Sequence, residues 1–543
     1  MKIASARDKR VLIIDSQALG KGYLRIPLLQ IGFEHIDFVH STLDADIALS
    51  RTHYDLVICS YSLDTEQDGF YYYAHLKQSK RLKAITSFVF ISSQSNFDVI
   101  QSVIELPPDD FIVKPFTPID LSNRLARVLK RKSFLSQVHE FIRQNKLNSA
   151  LTELERVIET STSKELIPLA LKAKGDLLLM KKEYPQAAQF FESVLKLNQF
   201  AWAEIGLVTC LLHFGNDVDA ERMIINMATK IDTKTMAYEL LTRLQLKHEC
   251  FEEALESAII ACQNSPKNIE RQQVARMIAK LAHDHEAEFT IAQRIVRFVR
   301  GSVNEAPQHY LNAVRAGIDF AMSSDDNAMH EIINASKKYI VELKNRFPKV
   351  DYFQEINIMQ ARLHYLQNNQ TRARELITMQ ASDFSDLSLD GQVDKAKALH
   401  EVGLRTQALE LLEQIQAQLS ANCVEDQNQL SQQALFAKYV SVEKATKESI
   451  LWGPKELNEQ GVAAYKNGNF DKAFEIFVQA LNITPKNTSI ALNLLQVVVK
   501  LKLSKWMEDF SAIIHRCVDT IEQQRMTIDQ QHKYSKLKQA LAV

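Results

Sequence analysis

The chain has 543 residues with 65 basic and 66 acidic side chains, a formal net charge of −1. That balance gives no support for binding a polyanion or lying on an anionic surface, so neither a nucleic-acid nor a membrane partner is expected. Its 14 Gly and 12 Pro fall well below average usage, which points to a mostly helical chain of two to four domains.

Residues 9 to 132 have a texture of their own. Short apolar runs rich in β-branched residues, Val11 to Ile14, Ile36 to Val39, Leu56 to Cys59, Phe88 to Ser92 and Phe111 to Val113, alternate with segments of helical period. Strands alternating with helices predict an α/β doubly wound five-stranded parallel sheet. In such sheets the chemistry sits at the carboxyl ends of the strands, which directs attention to Asp15, Ser16, Ser60, Ser92 and Lys114.

The order IIDS, then DLVICS followed by Asp68-Gly69, then FVFISS, then DDFIVKPF resembles the receiver domain of bacterial response regulators over roughly the first 130 residues. The resemblance implies phosphorelay signal transduction, the process of two-component systems. It implies that Lys114 contacts an acyl phosphate, that Ser92 hydrogen-bonds the phosphoryl group, and that Phe111 changes rotamer on activation. A histidine kinase or other two-component protein is the partner it implies.

The departures matter more. Ser60 stands where the family has its nucleophilic carboxylate, and a neutral serine with no adjacent base cannot form the acyl phosphate. Ser16 replaces the second acid after the first strand, so Asp15 alone remains of three expected carboxylates for magnesium. The expectation is a degenerate receiver, with no metal beyond a weak magnesium site at Asp15 and no other cofactor. Asp64 and Asp68 are the alternative acceptors, with a helix N-cap or a solvated loop as their bland reading.

The segment Leu121 to Gln144 lacks Gly and Pro and predicts a continuous or barely broken helix leading out of this domain. Its basic cluster, Arg124, Arg127, Lys130, Arg131 and Lys132, reads as a solvated face. Beyond it the stretch from Pro454 to Asn487 shows a repeating unit most clearly. Small or apolar residues at Leu457, Gly461, Ala464, Ala473, Phe477 and Ala480, with a Gly468-Asn469 turn and Pro485, resemble a tetratricopeptide repeat. Gly175, Ala187, Phe191 and Val194 carry the same spacings, and Ala254, Ala258, Ala261 and Pro266 repeat the second-helix half, as do Ala408, Leu412 and Ile415. One hairpin cannot bury its own apolar face, so the copies are expected to stack into an all-α solenoid ending in a polar cap.

The expected organisation is a receiver-like domain at 1–132, helical repeats at 133–303, irregular helical repeats at 304–452, and a repeat with capping helices at 453–543. Possible breaks lie at 383–392 and 420–430. His283-Asp284-His285-Glu286 falls between two helical patterns without distant ligand partners and reads as a polar turn rather than a metal cluster. The six cysteines, Cys59, Cys210, Cys250, Cys262, Cys423 and Cys517, form no CxxC pair, which speaks for a reducing compartment. No signal peptide and no uninterrupted apolar run of about eighteen residues is present, so the location expected is cytoplasmic.

No GxSxG elbow, HExxH or Walker lysine occurs, and no enzyme is expected. The leading expectation is a signalling adaptor or scaffold whose repeats hold a protein partner in their groove. An active phospho-switch using an acid such as Asp64 is the alternative. A transcription regulator is the third reading, without a basic recognition helix to support it.

Overall fold

The computed structural model describes residues 6–541 apart from 18–19, 64–68, 80, 84, 95–98, 101–102, 104–105, 162–163, 303, 325, 368, 380–386, 422–431, 451–453, 485–486, 505–509 and 523–525. Asp64, Asp68, Cys423, Pro485 and part of both expected breaks therefore lie outside the described residues.

Five strands follow the apolar runs within a residue or so: β1 Arg10–Ile14, β2 His35–Val39, β3 Leu56–Ser60, β4 Ser87–Ser92 and β5 Asp110–Val113. All pair in parallel in the order β2-β1-β3-β4-β5, with Val11 opposite Leu56 and Cys59 opposite Phe90. Because side chains alternate across a strand, Val11, Ile13, Leu56, Ile58, Val89 and Ile91 share one face. They pack on Leu24 and Leu28 of helix α1 (Gly20–Ile31) and on Leu121 and Leu125 of α4 (Pro118–Phe134). Leu12, Ile14, Val57, Cys59, Phe88 and Phe90 fill the other face against Ala45 of α2 (Thr42–Arg51) and Tyr72, Tyr73 and Leu76 of α3 (Gly69–Gln78). Burial on both faces explains why these strands read as unbroken apolar runs.

Thr117 and Asp120 form a capping box at the start of α4. The expected long helix is interrupted at Leu135, whose φ of −107° and ψ of 12° leave the helical region. The Ser133 hydroxyl donates to the Lys130 carbonyl at 3.0 Å and that of Ser136 to the Ser133 carbonyl at 2.9 Å. Such bonds compete with the helix ladder. The break turns Leu135, and Val138 on α5 (Ser136–Arg143), into a cluster with Ala150 and Leu154 of α6 (Leu147–Thr160). Two members of the basic cluster are engaged rather than merely solvated, Arg124 by the Asp110 carboxylate and Lys132 by Asp109 at 3.2 Å.

Hairpins follow: α7 and α8 (Ile167–Met180, Tyr184–Leu197), α9 and α10 (Ala201–Phe214, Asp217–Ala228), α11 and α12 (Lys234–Lys247, Phe251–Asn264), and α13 and α14 (Ile269–Leu281, His285–Val299). Then come α15 and α16 (Pro307–Ser323, Asp326–Arg346), α17 and α18 (Phe353–Leu366, Gln370–Thr378), and α19 and α20 (Leu389–Glu401, Arg405–Ala421). The single helix α21 (Gln432–Ser449) precedes α22 and α23 (Pro454–Lys466, Phe470–Ile483), and α24 to α26 (Thr488–Ser504, Ser511–Glu522, Ile528–Leu541) close the described chain. Inside seven hairpins the turn carries one left-handed residue, Asn145, Lys182, Gly215, Glu249, His283, Gly403 or Gly468. Four of the seven are not glycine, so a glycine search alone finds only some of the turns.

The small-residue code does what the repeat pattern requires. A Cβ added at Gly461 would stand 2.7 Å from the Phe477 ring, closer than packed atoms allow. Gly461→Ala is therefore expected to lower stability by about 1–3 kcal/mol in denaturant titration; an unchanged midpoint would show that the ring is not held against this helix.

The chain divides into two compact units, one of residues 1–271 with 298–305, the other of residues 272–297 with 306–543. No described helix is long and apolar enough to cross a membrane.

Candidate functional site

At the carboxyl ends of β1 and β3 the side chains are tied to their own backbone. Asp15 is buried, and its carboxylate accepts from the Gln17 N–H at 3.0 Å and the Tyr23 hydroxyl at 3.1 Å. Burial and the adjacent Asp15 push the Tyr23 phenol well above its usual value, so it donates at every ordinary pH. The Ser60 hydroxyl donates to the Ser62 carbonyl at 2.9 Å, and the Ser16 hydroxyl donates to that of Leu63. The chain after β3 is thus drawn onto the strand ends. At its return, the Gly69 N–H donates to the Tyr61 carbonyl at 2.9 Å, and a side chain at Gly69 would collide with the Ser60 carbonyl.

The remaining positions at this end of the sheet each have a partner of their own. Ser92 closes a local turn, donating to the Gln94 carbonyl and accepting from its N–H, both at 2.9 Å. Lys114 sets its ammonium 4.7 Å from the centre of the Tyr23 ring, a cation–π contact. Phe111 is half-buried, edge-on to Tyr61 with centroids 6.1 Å apart.

Tyr61, which the sequence did not single out, carries this site to the repeats. Its hydroxyl lies 3.2 Å from the Lys267 ammonium, and that ammonium stands 4.8, 5.8 and 5.7 Å from the Tyr61, Phe70 and Tyr71 ring centres. Ile269 and Phe298 pack beside it on the same apolar cluster, and Gln78 donates to Glu270 at 2.9 Å. An aromatic cage made of Tyr61, just past β3, and of Phe70 and Tyr71 on α3 therefore holds a lysine from the turn between α12 and α13. Nothing in the spacing of Pro266, Lys267 and Asn268 connects that turn to a residue 206 positions earlier.

The second feature missed by sequence is a charged interior in the second unit. Arg276 and Lys280 on α13, Arg315 and Asp319 on α15, Glu355 and Arg362 on α17, Asp394 and Lys397 on α19, and Glu443 and Lys447 on α21 are all buried. Each pair is three, four or seven residues apart, which sets it on one face of its helix. Arg362 donates to Asp394 at 2.6 Å, to Asp319 at 2.8 Å and to Glu401 at 2.7 Å. Lys397 holds the other Asp319 oxygen at 2.8 Å, Lys280 holds Asp390 at 2.8 Å, and Arg315 donates to Glu355. Burial alone would discharge these groups. Lys397 and Arg362 nevertheless hold Asp319 well below the usual carboxylate range, and Glu401, Asp319 and Asp394 raise Arg362 further.

A family model described as tetratricopeptide repeat matches residues 135–201. A curated protein of Porphyridium aerugineum, "Probable transcriptional regulator ycf27", is 30% identical over 128 residues, 23% of this chain and 50% of the relative. The chain thus spans about half the length of the curated relative it matches. Among solved structures, the chemotaxis response regulator CheY4 of Vibrio cholerae is 18% identical with a TM-score of 0.21, covering 22% of this chain and 98% of that one. A tetratricopeptide repeat protein from Parabacteroides merdae is 10% identical with a TM-score of 0.27, covering 57% of this chain and 98% of that one. With a parallel β2-β1-β3-β4-β5 sheet in its first 113 residues and hairpins that close glycine on phenylalanine at Phe191 and Phe477, the chain joins a response-regulator receiver-like domain to tetratricopeptide repeats.

Proposed function

We propose that the protein is a non-enzymatic signalling adaptor of a phosphorelay, cytoplasmic, whose receiver-like domain does not take phosphate at Ser60 and whose repeats bind a protein partner. The observation that carries this reading is the pair of serine hydroxyls at the ends of β1 and β3, both donating to carbonyls of residues 62 and 63. A carboxylate in either place would face those carbonyls, like charge against like dipole, and a phosphoryl group would face them too. Nor does this donor set suit magnesium, which takes hard oxygens in octahedral array. Of the three positions only Asp15 is anionic, and the hydroxyls of Ser16 and Ser60 offer no charge.

The Tyr61–Lys267 contact supports coupling between the receiver-like domain and the repeats that runs beside the α4–α5 connection. A place for a protein partner on the receiver-like domain is offered by an apolar cleft of ≈ 520 Å³ lined by Tyr23, Ile26, Pro27, Lys114, Pro115 and Phe116. Ile26 in its lining is 61% exposed.

Incubating the full chain with acetyl phosphate and magnesium is expected to leave its intact mass unchanged, and beryllofluoride to leave the amide spectra around Ser92, Phe111 and Lys114 unshifted. A phosphoryl adduct that disappears in Asp64→Asn or Asp68→Asn would overturn the reading in favour of a phospho-switch.

A further inference from the structure

The charged interior of the second unit brings together one imidazole and two carboxylates from two helices. His285 opens α14 and Glu288 follows one turn later, a spacing that sets both on one face. Asp319 reaches them from α15, so that one ligand atom from each of the three lies within 4.8 Å of the others. His283-Asp284-His285-Glu286 offered no ligand set in sequence because two of the three groups lie outside it, one of them on the next hairpin.

What singles out this trio among the buried charges of the described residues is a carboxylate, that of Glu288, with both oxygens left over. Glu288 is 1% exposed, yet neither carboxylate oxygen has a hydrogen-bond partner, and Nδ1 of His285 has none either. Arg276 and Lys280 come no nearer than 3.7 Å to Glu288 Oε1, beyond hydrogen-bonding distance. A buried carboxylate without hydrogen bonds is strongly unfavourable. By contrast Asp319 is braced: Arg362 holds one oxygen and Lys397 the other, both at 2.8 Å. Each oxygen keeps a further lone pair, and outer donors of this kind fix a ligating carboxylate in place.

We propose that His285, Glu288 and Asp319 form a binding site for a divalent transition-metal ion of the zinc type, with a fourth position open to water. The mixed nitrogen and carboxylate donors suit a borderline cation such as zinc or cobalt better than magnesium, which prefers an all-oxygen octahedron. Bonds of about 2.0–2.2 Å in tetrahedral array set ligand atoms roughly 3.3–3.6 Å apart, so ligand atoms that lie within 4.8 Å of one another draw together by up to about 1.5 Å on binding. That movement is available to Glu288, which no hydrogen bond restrains.

The test uses the full chain stripped with a chelator and titrated with zinc against a chromophoric competitor, with a parallel cobalt titration followed by visible absorption. The expected result is one saturable equivalent whose cobalt spectrum lacks a thiolate charge-transfer band, weakened more than roughly tenfold by His285→Ala and by the isosteric Glu288→Gln. Circular dichroism checks that the variants remain folded; should His285→Ala unfold, Glu288→Gln decides alone. The exposed thiol of Cys250 is the competing ligand among the described cysteines, so Cys250→Ser is expected to leave the equivalent intact. Absence of a saturable equivalent would overturn the proposal. So would a thiolate band, or binding that survives Glu288→Gln and is lost with Cys250→Ser.

Discussion

Replacing Arg362 by alanine is expected to cost about 3–5 kcal/mol of stability, because it leaves buried carboxylates without their shared cation. Asp319, Asp394 and Glu401 all hydrogen-bond to this guanidinium, and the four side chains are between 2% and 8% exposed. Arg362→Met, which keeps much of the apolar volume, is expected to do little better, since the acids remain charged and uncompensated. Hydrogen exchange on the intact chain locates the effect: protection falls in α15, α17 and α19, while the strands of the receiver-like domain keep theirs. A loss below roughly 1 kcal/mol, the usual worth of a solvated ion pair, would mean that water reaches the network.

Mild acid is expected to destabilise the second unit through a buried histidine. His400 on α19 is 2% exposed, and its Nε2 faces the Ile450 carbonyl at 3.3 Å, which assigns the ring proton to that nitrogen. Burial first, then Lys447 on α21, pushes its pKa down to about 4, with Arg405 on α20 in the same sense and the Ile450 carbonyl and Glu443 on α21 in the opposite one. The unfolded chain takes up a proton below its ordinary pKa of about 6.5 and the folded chain does not. Stability is therefore lost as pH falls from about 6.5 to about 4, by roughly 3 kcal/mol at the end of that window. Glu443, held at about 2 by Lys397 and Lys447 despite its burial, acts in the same sense but starts to matter only below the normal carboxylate pKa. Denaturant midpoints at pH 7 and pH 5 should separate widely in the parent and less so in His400→Gln, whose amide can still donate to Ile450. Equal separations would assign the acid sensitivity to other groups.

The regular parts of the molecule were legible because each is fixed by local spacing. The five apolar runs became the five strands, and Gly175, Phe191, Gly461 and Phe477 meet as the repeat pattern requires. The identities of Ser16 and Ser60 were equally plain, but their hydrogen bonds to residues 62 and 63 belong to a loop whose course no periodicity encodes. The charged interior was invisible for a different reason. Along one helix, Asp390, Asp394, Lys397 and Glu401 look like a solvated face, and only pairing with Lys280, Arg362 and Asp319 on other hairpins makes their burial tolerable. Lys267 is the extreme instance, a turn lysine whose three aromatic neighbours lie in another domain.

That lysine also sets an order of events during synthesis. The face of the receiver-like domain around Tyr61, Phe70 and Tyr71 is made early, while Lys267 and Ile269 follow about 200 residues later and Phe298 later still. At about 5–20 residues per second of translation, the face waits for roughly 10–40 s before its cover emerges from the ribosome. During that interval the rings of Tyr61, Phe70 and Tyr71 stand without the lysine that later covers them.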